Sequence, residues 1–157
     1  MQPDTWVKSW EKRVYSIKNA HDQSAYFCEM LDIAFNVMVI FAAAFMAVIA
    51  LMARAGFEAL PHIILLMSIT IIALVAGQYY FKFSERSIQH RYAADAYLHL
   101  AQQLEPIKQC TDLKMGEGHK KFNDFFSEWI HLAEISPALI KPIYKRNFPH
   151  FDFALKS

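Results

Sequence analysis

Seven histidines in 157 residues invite a search for metal chemistry. His21, His62, His90, His99, His119, His131 and His150 are scattered, and none stands in an HExxH frame or beside a cysteine pair. Zinc needs three or four converging nitrogen, sulfur or oxygen ligands, commonly at short helical or loop spacings, and these histidines supply no such set. His119 has basic company in Lys120 and Lys121, which reads as a solvated helix start. Cys28 and Cys110 lack metal-type spacing and read as reduced, inert thiols. Gly116 and Gly118 alone do not make a phosphate-cradling loop, and no nucleophile stands at motif spacing from a base. Nothing in these residues argues for an enzyme or for a resident metal, and neither is expected.

The pattern with more chemical content is a stripe. At ~100° per residue on a helix, Glu29, Asp32, Asn36, Ile40, Ala43, Ala47, Ala50 and Arg54 fall in one sector. The stripe is acidic at one end, small and polar along its length, and basic at the other end. It crosses residues 33–53, a run of 21 residues without charge in which Asn36 is the polar side chain. Such a run spans roughly 31 Å as a helix, close to the ~30 Å hydrocarbon thickness of a bilayer. A second charge-free run of 19 residues, 63–81, carries Ser68, Thr70 and Gln78.

Between the runs lies a short tip, 54–62, where Gly56 ends one helix and Pro61 suits the first turn of the next. The expected fold class is an all-α membrane protein: a two-helix transmembrane hairpin with long cytoplasmic helical extensions. The chain has too little remaining length, and too polar a composition, to cover two such helices as the core of a soluble domain. Ala43 and Ala47 on the first span, and Ala73 and Gly77 on the second, have the small-xxx-small spacing of close helix packing. A polar stripe at membrane depth should face protein or water. It either packs against Ala73 and Gly77, with Asn36 hydrogen-bonded there, or lines an axial pathway in an assembly of several hairpins. Gln78 is a second residue for a lumen or an intersubunit bond, on a separate face from Ala73 and Gly77.

Nearly all the charged residues lie in the flanks, and the net charge of +1 excludes a nucleic-acid binder built on bulk electrostatics. Asp4, Lys8, Glu11, Lys12, Arg13 and Lys18 precede any apolar run, which is not the order of a cleavable signal peptide. Within about 20 residues of the spans, Arg13, Lys18, Lys82, Arg86 and Arg91 stand on the terminal side against Arg54 at the tip. By the positive-inside rule both termini are cytoplasmic. Tyr79, Tyr80 and Phe81 before Lys82 read as an interfacial aromatic belt.

Residues 4–32 are expected to be helical from an Asp4 cap, with Trp6, Trp10, Val14, Ile17, His21, Ala25 and Cys28 on one stripe. That stripe packs on another helix of the cytoplasmic part or lies on lipid. No proline or glycine separates it from the first span. Residues 82–157 hold the remaining cytoplasmic helices and a C-terminal segment. After Phe81 no breaker appears until Pro106, and Ile88, Tyr92, Ala93, Ala96, Tyr97, Leu100 and Leu104 supply an apolar stripe. A polar loop follows at 111–119. Phe122, Phe125, Phe126, Trp129 and Ala133 then share a helical face before Pro137, Pro142 and Pro149.

Taken together, the Trp6/Trp10/Tyr15 helix, the short two-span hairpin, the RYAADAYLHL helix and the FFSEWI segment ahead of Pro137 resemble the SLATT family over residues 6–140. These are bacterial two-transmembrane effectors found with nucleotide-signal synthases and sensors in conflict systems. The resemblance implies an antiphage effector that assembles in the inner membrane as a homo-oligomer, tetramer or larger, and permeabilises it. It also implies control by a nucleotide or oligonucleotide from a partner nucleotidyltransferase. Arg91, Lys120, Lys121, Lys145 and Arg146 would then be the residues to test for that ligand, because phosphate is held by guanidinium forks or ammonium groups.

Overall fold

The computed structural model describes residues 3–53, 60–108 and 116–147. All regular structure among them is helical: α1 (Pro3–Ala53), α2 (Leu60–Phe81), α3 (Phe83–Lys108), α4 (Gly116–Ile135) and α5 (Lys141–Asn147). α1 is 51 residues long. Between residues 4 and 53 it contains no proline or glycine that could interrupt its i to i−4 ladder. The tip residues 54–59, with Arg54 and Gly56, lie outside the described residues.

Packing divides the chain into two compact units, one of Met1–Tyr26 with Arg86–Ser157 and one of Phe27–Glu85. The divisions fall a few residues into the charged flanks relative to the charge-free runs 33–53 and 63–81. Hydropathy registers where charge stops, whereas packing registers where side chains change partners.

In the first, polar unit, three helices converge on one core. α1 contributes Val7 and Val14, seven residues and therefore about two turns apart; α3 contributes Tyr97, Leu100, Ala101, Leu104 and Ile107; α4 contributes Phe125 and Leu132. Trp10 fills the join edge-on, with ring centroids 5.8 Å from Phe125 and 5.2 Å from Trp129. Edge-to-face packing at these distances sets the positive rim of one ring against the negative face of the other. Polar contacts fix the periphery. Glu11 pairs with Lys108 at 3.0 Å, Gln103 donates to Glu128 at 2.6 Å, and Arg146 of α5 donates to Gln23 of α1 at 2.6 Å.

The α3 stripe is buried as expected at Ala93, Tyr97, Leu100 and Leu104, but its first turns differ: Ile88 and Tyr92 are exposed, and Ser87 and His90 are buried in their place. Apolar periodicity cannot find a face whose first turns are polar. Pro106 does not end α3, which reaches Lys108. Two residues from the end, a missing N–H removes one late ladder bond and leaves the preceding turns intact.

The second unit is apolar. α2 alone, at 22 residues, is about 33 Å long. Two helices are long and apolar enough to cross a membrane, and their most apolar stretches are 6% and 0% buried. Ile40, Phe41, Leu66 and Ile72 stand exposed on them. Helices apolar on every side, with those sides uncovered, require a non-aqueous surrounding or further protein. The second apolar helix does not run straight into α3. Lys82 interrupts it with φ of 49°, and its N–H bonds the Gln78 carbonyl at 3.1 Å. This is the left-handed helix cap usually made by glycine, and no feature of a lysine announces it.

Truncating Phe125, which is 1% exposed, is expected to cost the polar unit about 3–5 kcal/mol by transfer and cavity terms. Phe126→Ala, at the exposed neighbouring position, should cost about 1 kcal/mol, the scale of one aromatic edge contact. Denaturant unfolding followed by tryptophan fluorescence measures both, and equal losses would contradict the core assignment.

Candidate functional site: a polar trio between the apolar helices

Within the apolar unit, the two hydroxyl side chains of the second charge-free run are satisfied locally. Ser68 donates to the Ile64 carbonyl at 2.8 Å and Thr70 to the Leu66 carbonyl at 2.9 Å. Both are the i−4 back-bond that lets a hydroxyl sit in an apolar medium without water. Asn36 and Gln78 cannot hide in this way, because their amides extend beyond their own backbone. They find each other across the helices: Gln78 Nε2 donates to Asn36 Oδ1 at 2.9 Å. The same Nε2 reaches Asp32 Oδ1 at 3.3 Å, and Asn36 Nδ2 reaches Asp32 Oδ2 at 3.4 Å. One turn of α1 separates Asp32 from Asn36, so both address a single residue of α2.

A cavity of about 350 Å³ opens beside the trio, lined by Asp32 and Gln78 together with Tyr79, Lys82, Ser84 and Glu85 among others. Lys82 Nζ lies 3.1 and 3.2 Å from the two Glu85 oxygens. The left-handed turn at Lys82 is what brings 82–85 round to this cavity's rim. Chemically the site is an amide and carboxylate cluster able to exchange hydrogen bonds with water, a cation or a third helix. Nothing in it is a nucleophile placed against a base.

The stripe read from sequence is divided by the structure. Asp32, Asn36 and Gln78 come together. Glu29 is half-buried, whereas Ile40, Ala43, Ala47 and Ala50 are exposed on α1. Arg54 lies outside the described residues. The partner of Asn36 on α2 is Gln78, not the small face at Ala73 and Gly77. A Cβ placed on Gly77 would stand 3.8 Å from Phe35 Cε1, an ordinary contact, so this glycine is not required by a close backbone approach.

The proposed ligand cations are distributed over the polar unit. Arg91 lines a groove of about 360 Å³ with Asp22, Ala25, Tyr26 and Asp95. Two carboxylates to one guanidinium make this groove a poor match to a bare polyphosphate. Lys120 is exposed and Lys121 half-buried on α4; Lys145 lies in α5; Arg146 is engaged with Gln23. Sequence reasoning missed a different cluster in this unit, the buried contact of His21 with His90. The available signal was His21 on the apolar stripe of α1, where a histidine needs a partner.

Among the described residues no group of three or more histidine, cysteine or carboxylate side chains is placed to hold a metal. No family model, curated protein or solved structure matches this chain at a significant level.

Gln78→Leu removes the donor to both α1 residues and is expected to cost about 1–2 kcal/mol of helix association. Gly77→Ala should be neutral or stabilising by up to about 1 kcal/mol, the helix-propensity difference. Denaturing-detergent titration in mixed micelles reads both, and a severe loss in Gly77→Ala would restore the small-residue packing seam.

Proposed function

We propose that this chain is a two-span hairpin of the bacterial inner membrane, with both termini cytoplasmic, that assembles into a pore-forming effector of antiphage defence. The observation that carries the reading is the pair of apolar helices left largely uncovered while a polar trio joins them. Lipid supplies the missing cover, and the trio with its cavity supplies the polar seam from which a water path opens when copies assemble. Charge bias toward the terminal flanks supports the orientation, and the resemblance to the SLATT family supports the effector role. Under this reading a nucleotide or oligonucleotide made by a partner nucleotidyltransferase controls the assembly through cations of the polar unit, with Arg91, Lys120, Lys121, Lys145 and Arg146 as the residues to replace.

One observation favours a second reading, a membrane-anchored helical scaffold or sensor without a pore. Asn36, Gln78 and Asp32 already satisfy one another within a single chain, and a seam so closed needs no lumen. Dye release from liposomes separates the two readings. The pore reading expects leakage from the folded oligomer, modulated by nucleotide. It also expects Asn36→Leu or Gln78→Leu to change toxicity in cells while insertion persists. A folded oligomer that holds its dye with and without nucleotide establishes the scaffold.

A further inference from the structure

His21 of α1 and His90 of α3 face each other inside the polar unit with their Nδ1 atoms 3.0 Å apart. Both side chains are buried, at 2% and 4% exposure. At that separation the contact is a hydrogen bond only if one Nδ1 carries a proton and the other offers a lone pair. The two imidazoles therefore hold opposite roles at Nδ1, and the accepting ring is neutral.

The contact is built into the core and not laid on its surface. The Tyr97 ring stacks on His21 with centroids 5.6 Å apart and planes 16° from parallel. Tyr97 in turn meets Trp129 at 5.7 Å, and Trp129 meets Trp10 at 5.2 Å. A ring chain thus runs from the histidines through α3 and α4 back to α1. Ser24, one turn after His21, donates its hydroxyl proton to its own Ala20 carbonyl at 2.8 Å.

A second proton changes the sign of this contact. A first proton can rest on the free Nε2 of the donor ring and leave the Nδ1–H···Nδ1 bond intact; once both rings are imidazolium, two N–H donors point at one another at 3.0 Å, the hydrogen bond is lost, and two like charges sit in a buried site. We propose that the His21–His90 pair is a proton-operated latch: while one Nδ1 keeps its lone pair it holds α1 against α3, and when both rings are protonated it releases them. The latch stands on the polar unit alone and does not depend on whether the chain forms a pore.

The electrostatic surroundings set its range. From α1 the neighbouring charge is Asp22, which attracts a proton to His21 but is itself tied to Lys18 at 2.5 Å. From α3 the neighbouring charge is Arg86, which repels a proton from His90, and Tyr97 is the adjacent titratable ring, its phenol pushed up by burial. Arg91 and Asp95 of α3 share the groove with Asp22 and complete the charged set around it. Burial first, and His90 second, hold His21 down to about 4 from 6.5; burial first, and Arg86 second, lower His90. Both folded-state values lie below the ordinary one, so the released state binds more protons than the packed state. The latch is fully closed above about 6.5 and loosens as pH falls toward 4.

The test uses the full chain in lipid nanodiscs, with Cys28→Ala and Cys110→Ala, and spin labels on cysteines introduced by Asn19→Cys and Gln89→Cys. Both labelled positions are exposed, one on each helix of the latch. The expected result is a narrow α1 to α3 distance at neutral pH that lengthens or broadens with a midpoint between 6.5 and 4, and loss of that transition in the His21→Asn/His90→Asn double variant. An unchanged distance down to pH 4, or a double variant with the same midpoint, overturns the latch. Should the double variant fail to fold, imidazole 15N shifts of the wild-type chain decide. Protonation of the pair over the same pH range as the distance change supports the latch, and a distance change while both rings stay neutral overturns it.

Discussion

Within the two charge-free runs, 33–53 and 63–81, the apolar helices have to satisfy their polar groups among themselves. Helical backbone does so internally, and Ser68 and Thr70 follow by bonding back to the carbonyl four residues earlier. Asn36 and Gln78 are the side chains for which no local solution exists, and their mutual bond at 2.9 Å is the contact that sets which faces of α1 and α2 meet. Apolar packing is nearly indifferent to rotation about either helix axis when both helices are apolar on all sides. A single amide pair is not, since a slip of one residue turns each amide by ~100°. Register in the apolar unit therefore depends on the trio far more than on the exposed isoleucines and phenylalanines around it.

The polar unit is organised by the opposite logic. Its core is ordinary, with Leu100, Leu104, Ile107 and Phe125 buried among α1, α3 and α4, and position there is fixed by shape. Aromatic edges at Trp10 and Trp129 define angles that aliphatic side chains alone would leave loose. What is unusual is that one end of this core is polar. His90 on α3 meets His21 on α1, and Ser87 and Ser24 on the same two helices are buried as well. Such a patch contributes less to stability than leucines of the same volume and more to the dependence of stability on solution conditions.

Those two logics decide what could be read in the sequence. The apolar runs were legible because a charge-free stretch of 19 or 21 residues is a statement about composition, independent of register. The unbroken length of α1 was legible from the absence of glycine and proline. The left-handed turn at Lys82 was not, because the signal for that conformation is glycine or asparagine, and the chain uses a lysine. Nor was the buried side of the first turns of α3, where Ile88 and Tyr92 are exposed and a histidine is buried. Of the site, Asn36 and Gln78 were each singled out as costly at membrane depth, but their pairing depends on the register between two helices whose connection carries no pattern that fixes it.

The trio also bears on how a pore could arise from this chain. A lumen lined by Asn36 and Gln78 would have to replace a satisfied interhelical bond by bonds to water, and in a dry seam that exchange is unfavourable until water has already entered. Assembly alone does not supply the water. A cavity next to Asp32 and Gln78, walled on one side by the turn at Lys82, does place a polar volume where such water would first collect. Opening would then begin at the charged end of the stripe and proceed inward, and the Lys82 to Glu85 pair at 3.1 Å is the contact that such entry disturbs first. A scaffold needs none of this, and its trio would stay closed under every ligand. The two readings differ, in physical terms, in whether the amide pair is a fixed rivet or the last of several hydrogen bonds to be exchanged for water.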